Sequence, residues 1–157
     1  MTSLRRISVT GPDSATLLNF LSSRNVDRAV GTSTYAMFLN SGGRVVSDVT
    51  ISRLAHDKFL VGGNSARDVL WIKKHADLLN VQVHDVTAGT ACIAVWGPAA
   101  REALGTIADA DLSNDAFPYF SAQEIEVAGV RVTAVRVSYV GELGWELNCD
   151  ADVAPRL

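Results

Sequence analysis

The sequence predicts an α+β fold: a duplicated, pseudo-symmetric mixed sheet with flanking helices. Three observations lead there. Strand–Gly-Pro–helix occurs twice, with a β-branched strand over 6–10 before Gly11-Pro12 and an apolar one over 91–96 before Gly97-Pro98, the two glycines 86 positions apart. Each copy is followed by an aromatic-bearing segment and then a hairpin. The helices between them carry apolar residues at i, i+3, i+4 spacing, one face only. Two copies are too few for a solenoid, so an internal duplication within one domain is the reading, against chance recurrence of a common strand–turn–helix signal.

Each element has a local cause. Gly-Pro stops the first strand, and Asp13 or Ser14 supplies a cap for a helix whose stripe is Leu17, Leu18 and Leu21. A strand over 34–39 and a second over 45–52 flank the Ser41-Gly42-Gly43 turn as a hairpin. His56-Asp57 turns the chain into Phe59-Leu60-Val61. Asn64-Ser65 caps a helix over 66–76 with Val69, Ile72 and Ala76 inward, and 81–84 alternates as a strand. In the second copy, 91–96 reads as a buried strand. Ala100, Ala103, Leu104 and Ile107 form the helix stripe, and strands over 124–127 and 130–139 meet at Ala128-Gly129.

Composition limits the functional classes. At 157 residues the chain is enough for one domain with a core and too short for two ordinary ones. It is 48% hydrophobic and 20% charged, with net charge −3 and no run of Lys or Arg, which argues against a nucleic-acid partner. Apolar runs are strand-length, so no membrane span is expected. Met1 to Arg6 lacks the apolar stretch of a signal peptide. Cys92 and Cys149 form no CxxC or zinc spacing, so the cytoplasm is the expected compartment. The opening strand has no lead-in, and Asp150-Ala151-Asp152-Val153 reads as the acidic first turn of a helix. Residues 1–157 are therefore expected to be incomplete at both ends, the alternative being a whole chain with frayed ends.

Few residues carry chemistry. In Arg136-Val137-Ser138-Tyr139-Val140-Gly141-Glu142-Leu143-Gly144-Trp145-Glu146, the glycines allow a tight turn or close approach to a ligand. Alternation sends Trp145 and Glu146 to opposite faces. A carboxylate facing a pocket would accept two parallel hydrogen bonds, such as those of an amino-pyrimidinone edge, and Tyr139 offers a ring and a hydroxyl. Periodicity alone favours solvated glutamates. Asp48 shares a face with Val46 and Thr50, opposite Val45, Ser47 and Val49; it is a solvent-face residue or a deliberate acid. His56, His75 and His84 form no metal-ligand spacing, and no metal is expected. No GxSxG, GxGxxG or P-loop is present. Gly62-Gly63-Asn64-Ser65 reads as a cap sooner than as an anion site.

In order, the Gly-Pro turn, Met37-Phe38-Leu39-Asn40-Ser41-Gly42-Gly43, the helix with Trp71-Ile72, Ile93-Ala94-Val95-Trp96-Gly97-Pro98 and Tyr139-Val140-Gly141-Glu142-Leu143-Gly144-Trp145-Glu146 resemble the folate-binding domain of glycine-cleavage T-protein, an aminomethyltransferase. The segments over 111–119 and 138–146 are closest to the branch fused to flavin-dependent dimethylglycine and sarcosine dehydrogenases or oxidases. The resemblance implies a duplicated, strand-swapped α+β fold that binds tetrahydrofolate in a central cavity. It implies that Tyr139 lies near the pterin, that Glu146 holds its amino-pyrimidinone edge, that Glu142 supports the site locally, and that Tyr35 and Leu39 lie near the pocket. T-proteins carry two adjacent aspartates after the Gly-Gly turn, the first held to be catalytic. Here the pair is Ser47-Asp48, so either Asp48 takes over by a register adjustment or the acid is missing, which favours the dehydrogenase branch. The asparagine expected before the Trp-bearing helix falls on Gly62 in the simplest alignment, with Asn64 two residues on.

The resemblance thus implies a one-carbon module. A parent flavoprotein would oxidise an N-methyl amine, and tetrahydrofolate would capture the one-carbon unit here as 5,10-methylenetetrahydrofolate. The flavin domain of the parent chain would be a partner, with FAD held outside these residues. The alternatives are a stand-alone aminomethyltransferase served by a lipoyl carrier protein, and a non-catalytic folate-binding or structural piece. Relatives in iron–sulfur maturation carry a cysteine inside the tyrosine–glycine motif; residues 139–146 contain none.

Overall fold

The computed structural model describes residues 4–157; Met1 to Ser3, the start of the polar N-terminal stretch, lie outside the described residues. The chain divides into two compact units, one through Thr87 and one from Ala88. The class is α+β, and each unit has its own sheet. Every strand pairing is antiparallel, because the neighbours are hairpin partners or returning strands.

The first unit holds β1 (Arg5–Thr10), α1 (Ser14–Leu21), β2 (Ser33–Leu39), β3 (Val45–Ala55), β4 (Lys58–Gly63), α2 (Ala66–Lys74) and β5 (Gln82–Asp85), with sheet order β2-β3-β4-β1-β5. Its core joins Ile7, Val9, Val49, Ile51, Phe59 and Val61 from the strands to Leu17, Leu18, Leu21, Val69 and Ile72 from the helices. The strand stripe therefore packs against the helix stripe, as alternation and 3.6-residue spacing require. Gly11 has φ +117°, and an added Cβ would meet the Asn80 carbonyl oxygen at 2.4 Å, so only glycine fits that corner. The expected side-chain cap of α1 is not made. Asp13 stands at the cap position, but its carboxylate accepts the Asn80 N–H (2.8 Å) and ties the corner to the approach of β5. Ser65 does cap α2, in a reciprocal capping box with Asp68.

The second unit holds β6 (Thr90–Trp96), α3 (Ala100–Gly105), β7 (Ala122–Val127), β8 (Val130–Val135) and β9 (Gly144–Asp150), with order β6-β9-β8-β7. Trp145, Leu147, Val130, Val132, Ala134, Ile125 and Val127 form its core with Phe117, Ala100 and Leu104. Three expectations change here. β6 is not a fully buried strand here: it is half-buried with Ala94 exposed, and it lies at the edge of the sheet among the described strands. The helix after Gly97-Pro98 ends at Gly105, leaving Ile107 outside it and exposed. β8 ends at Val135, four residues before Tyr139, where the Val137 N–H turns back to the Val135 carbonyl (3.0 Å) and breaks the ladder.

Candidate functional site

Asp48 lies on β3 directly after a bulge. Leu39 pairs with Val45 and Phe38 with Ser47, so Val46 is the extra residue. The bulge leaves Ser47 buried and Asp48 half-buried on the other face, with Thr50. From the neighbouring strand the Tyr35 hydroxyl donates to Asp48 Oδ2 (3.0 Å), a diagonal cross-strand contact. The Asn64 amide donates to Asp48 Oδ1 (2.9 Å) and to the Asp48 backbone oxygen (2.8 Å), and reaches Ser47 Oγ (3.3 Å). Asn64, not Gly62, is therefore the residue before the Trp-bearing helix that meets the acid.

The α2 cap fixes Asn64 in turn. The backbone N–H groups of Asn64 and Ser65 both donate to Asp68 Oδ2, at 2.6 and 2.9 Å, and Asp68 is buried. A Cβ on Gly63 would press on that oxygen at 2.9 Å. Asp68 thus sets the backbone from which Asn64 reaches Asp48. Its role escaped the sequence reading, although the Ser65-x-x-Asp68 spacing is a capping-box pattern. Leu39 sits elsewhere: it lines a cleft of about 350 Å³ with Phe20, Leu21, Trp71, Lys74 and His75. The bulge thus turns it toward the two helices.

In the second unit, Glu146 on β9 stands opposite Ala94 of β6 and Val135 of β8, while Trp145 and Leu147 point into the core. The expected split of Trp145 and Glu146 is therefore present. Glu146 is half-buried, and desolvation raises its carboxyl above the ordinary carboxylate range. Among the described residues, none donates to that carboxyl. Gly141, at φ +77°, makes the turn of the motif. At Gly144 the close approach is internal: a Cβ there would meet Trp96 Cδ1 and the Val95 carbonyl oxygen, both at 2.4 Å. Tyr139 is 83% exposed on the loop after β8, and Glu142 is exposed with its N–H donating to Ser138 Oγ (3.2 Å).

That loop is anchored at its start. Arg136 is buried, donates to the Phe117 carbonyl and to Asn114 Oδ1 (2.7 Å), and lies 5.6 Å from the Trp145 ring centre. Burial first, and then the charge of Arg101, lower its pKa. Arg101 shares the same Asn114 oxygen. No group of three or more His, Cys, Asp or Glu is placed to hold a metal ion among the described residues, and no described helix is long and apolar enough to cross a membrane.

Two antiparallel sheets with repeated topology, each carrying a carboxylate on the face away from its own core, define a class of duplicated α+β module. Within that class the assignment is specific: residues 1–157 match the GCVT N-terminal domain model, and the chain belongs to this family. It is 34% identical over 147 residues to human (Homo sapiens) mitochondrial dimethylglycine dehydrogenase, covering 90% of this chain and 17% of that protein. It is 34% identical over 155 residues to the aminomethyltransferase of Thermotoga neapolitana, covering 96% of this chain and 42% of that one. The glycine cleavage system aminomethyltransferase T of Bartonella henselae has the same fold, with TM-score 0.82 at 24% identity, over 98% of this chain and 41% of its own. The chain thus spans less than half the length of each of these relatives.

Proposed function

We propose that this chain is the tetrahydrofolate-binding one-carbon transfer module of a dimethylglycine or sarcosine dehydrogenase-type enzyme, forming 5,10-methylenetetrahydrofolate from the one-carbon unit of an N-methyl amine. The observation that carries the reading is Glu146. A half-buried carboxyl with no donor among the described residues is costly to keep unless a ligand supplies the donors. The amino-pyrimidinone edge of a reduced pterin has two parallel N–H groups of the right kind. Tetrahydrofolate, when bound, supplies the nucleophilic nitrogen that accepts the one-carbon unit.

The chain's own residues bind and hold. Glu146 accepts the pterin edge and fixes its orientation. Tyr139, on the exposed loop anchored by Arg136, packs on the ring, and Glu142 supports the turn beneath it. Asp48, held on both oxygens by Tyr35 and Asn64, takes or returns a proton near the reacting nitrogen. Ser47 cannot serve in its place, because the bulge turns it into the core. The flavin domain and FAD belong to the remainder of the parent polypeptide. The branch is proposed on the Ser47-Asp48 pair and on the sequence likeness to dimethylglycine dehydrogenase. A T-protein-like aminomethyltransferase is the second reading, favoured by the equal likeness to the Thermotoga protein.

Calorimetric titration of tetrahydrofolate into wild type and Glu146→Ala tests the binding role. The variant is expected to lose about 1–3 kcal/mol of affinity. Equal affinity removes Glu146 from the site, and no heat with wild type at high ligand leaves residues 1–157 a structural piece. Exchange with a lipoylated carrier protein would favour the second reading.

A further inference from the structure

The cleft that Leu39 lines lies within the first unit, where α1, α2 and β2 all end. Asp48, Tyr35 and Asn64 do not line it. Its volume, about 350 Å³, falls in the range of small-molecule sites, roughly 300–1,000 Å³.

One wall is a row of rings. Trp71 and His75, one turn apart, stand 4.6 Å between centres, and His75 leads on to Phe20 of α1 at 6.2 Å. The His75 Nδ1 bonds the Trp71 carbonyl at 2.8 Å. A carbonyl only accepts, so Nδ1 carries the proton and the imidazole is held in place. Leu17, Leu18 and Leu21 of α1 take the core, while Phe20 is 76% exposed. An exposed ring in line with two others offers a flat apolar body a surface to stack on.

The polar groups at the cleft are donors. Lys74 holds its ammonium 5.6 Å from the Trp71 ring centre and makes no ion pair among the described residues. Cations in the last turn of α2 suit its dipole, which accounts for Lys73 and Lys74 as residue types. It does not account for the ammonium's place over the ring. On the β2 side, Asn40 Oδ1 accepts the N–H groups of Gly42 and Arg44, both at 3.0 Å. That leaves the Asn40 NH₂ to face outward, and among the described residues none accepts from it. The Trp71 indole N–H is buried and also lacks an acceptor. No Asp or Glu lines the cleft. Donors without acceptors, a cation without a carboxylate and no nearby acid select an anion, and the rings select a planar one.

We propose that this cleft binds a small planar anion, an aromatic or heteroaromatic carboxylate, at a site separate from the face that carries Asp48. The ring of the ligand stacks against Phe20, His75 and Trp71. Its carboxylate is held by the Lys74 ammonium and the Asn40 NH₂.

Saturation-transfer NMR on the intact polypeptide tests this with indole-3-carboxylate as the probe. Neutral indole and the non-planar cyclohexanecarboxylate are the comparison ligands. The planar anion is expected to receive saturation and to bind with a Kd of about 1 mM or tighter. Lys74→Ala and Phe20→Ala, both at exposed positions, are each expected to weaken it about fivefold or more. No saturation of the planar anion overturns the proposal. Equal binding of indole, or of cyclohexanecarboxylate, overturns it as well. So does undiminished binding in both variants, which assigns the probe to another site. Sedimentation velocity covers the remaining occupant: a wild-type dimer that Phe20→Ala abolishes gives the cleft to a second copy, and the proposal fails.

Discussion

A single carboxyl, that of Glu146, sits where folding gains nothing from its charge. Burial raises its pKa, so the unfolded chain ionises first as pH rises. Below the ordinary carboxylate range both states are protonated and the residue costs nothing. Between that range and the raised folded value, stability falls with pH. Glu146→Gln is therefore expected to raise the melting temperature of the unliganded protein at neutral pH, with no gain near pH 3, as calorimetry would read. Asp48 differs in its contacts: the Tyr35 hydroxyl and the Asn64 amide donate to its two carboxylate oxygens. Asn64→Ala removes three contacts of one amide and is expected to cost about 1 kcal/mol of stability. It should also lower kcat for one-carbon transfer more than it raises KM, in a steady-state assay. Alternation along the strand made the faces of Asp48 and Glu146 legible in advance. Asn64 was not, since its reach depends on a bulge and a cap that no periodicity reports.

At the scale of elements, the two Gly-Pro corners share hydrogen bonds but not surroundings. Gly11 and Gly97 both have φ in the glycine region, yet a Cβ at Gly97 meets nothing within 4 Å while one at Gly11 strikes the Asn80 backbone. Gly97→Ala is expected to cost about 1–3 kcal/mol from backbone strain alone, and Gly11→Ala more, in urea unfolding. Ser65→Ala breaks the capping box of α2 and is expected to cost about 1 kcal/mol. Nearly every strand and helix was legible from apolar spacing and turn residues. The misjudged ones share a cause. β6 looks as apolar as a central strand, but composition does not say what covers an edge. β8 stops early because the Val137 N–H turns back to the Val135 carbonyl, while the Arg136 guanidinium anchors on the loop carbonyl of Phe117, a long-range contact invisible in a β-branched run.

At the scale of the molecule, duplication explains the economy of the design. Each sheet turns one face to its own helices or loops and keeps the other for polar groups: Tyr35, Asp48 and Thr50 in one unit, Glu146 and Asn148 in the other. A core stripe and a site stripe then come from the same strands by alternation alone. The chain covers a minority of each relative's length, and the chemistry proposed for it needs a flavin outside these residues to generate the one-carbon unit. In the function proposed above, the part assigned to these residues is recognition of the folate.

The most direct measurement is therefore calorimetric titration of tetrahydrofolate, in buffers of different ionisation enthalpy, into wild type and Glu146→Gln. Donors on the pterin favour the ionised carboxylate, so binding to wild type near the raised pKa is expected to release a proton. Glu146→Gln should bind about tenfold or more weakly and release none. Equal affinity and equal proton release in the two proteins would contradict the account.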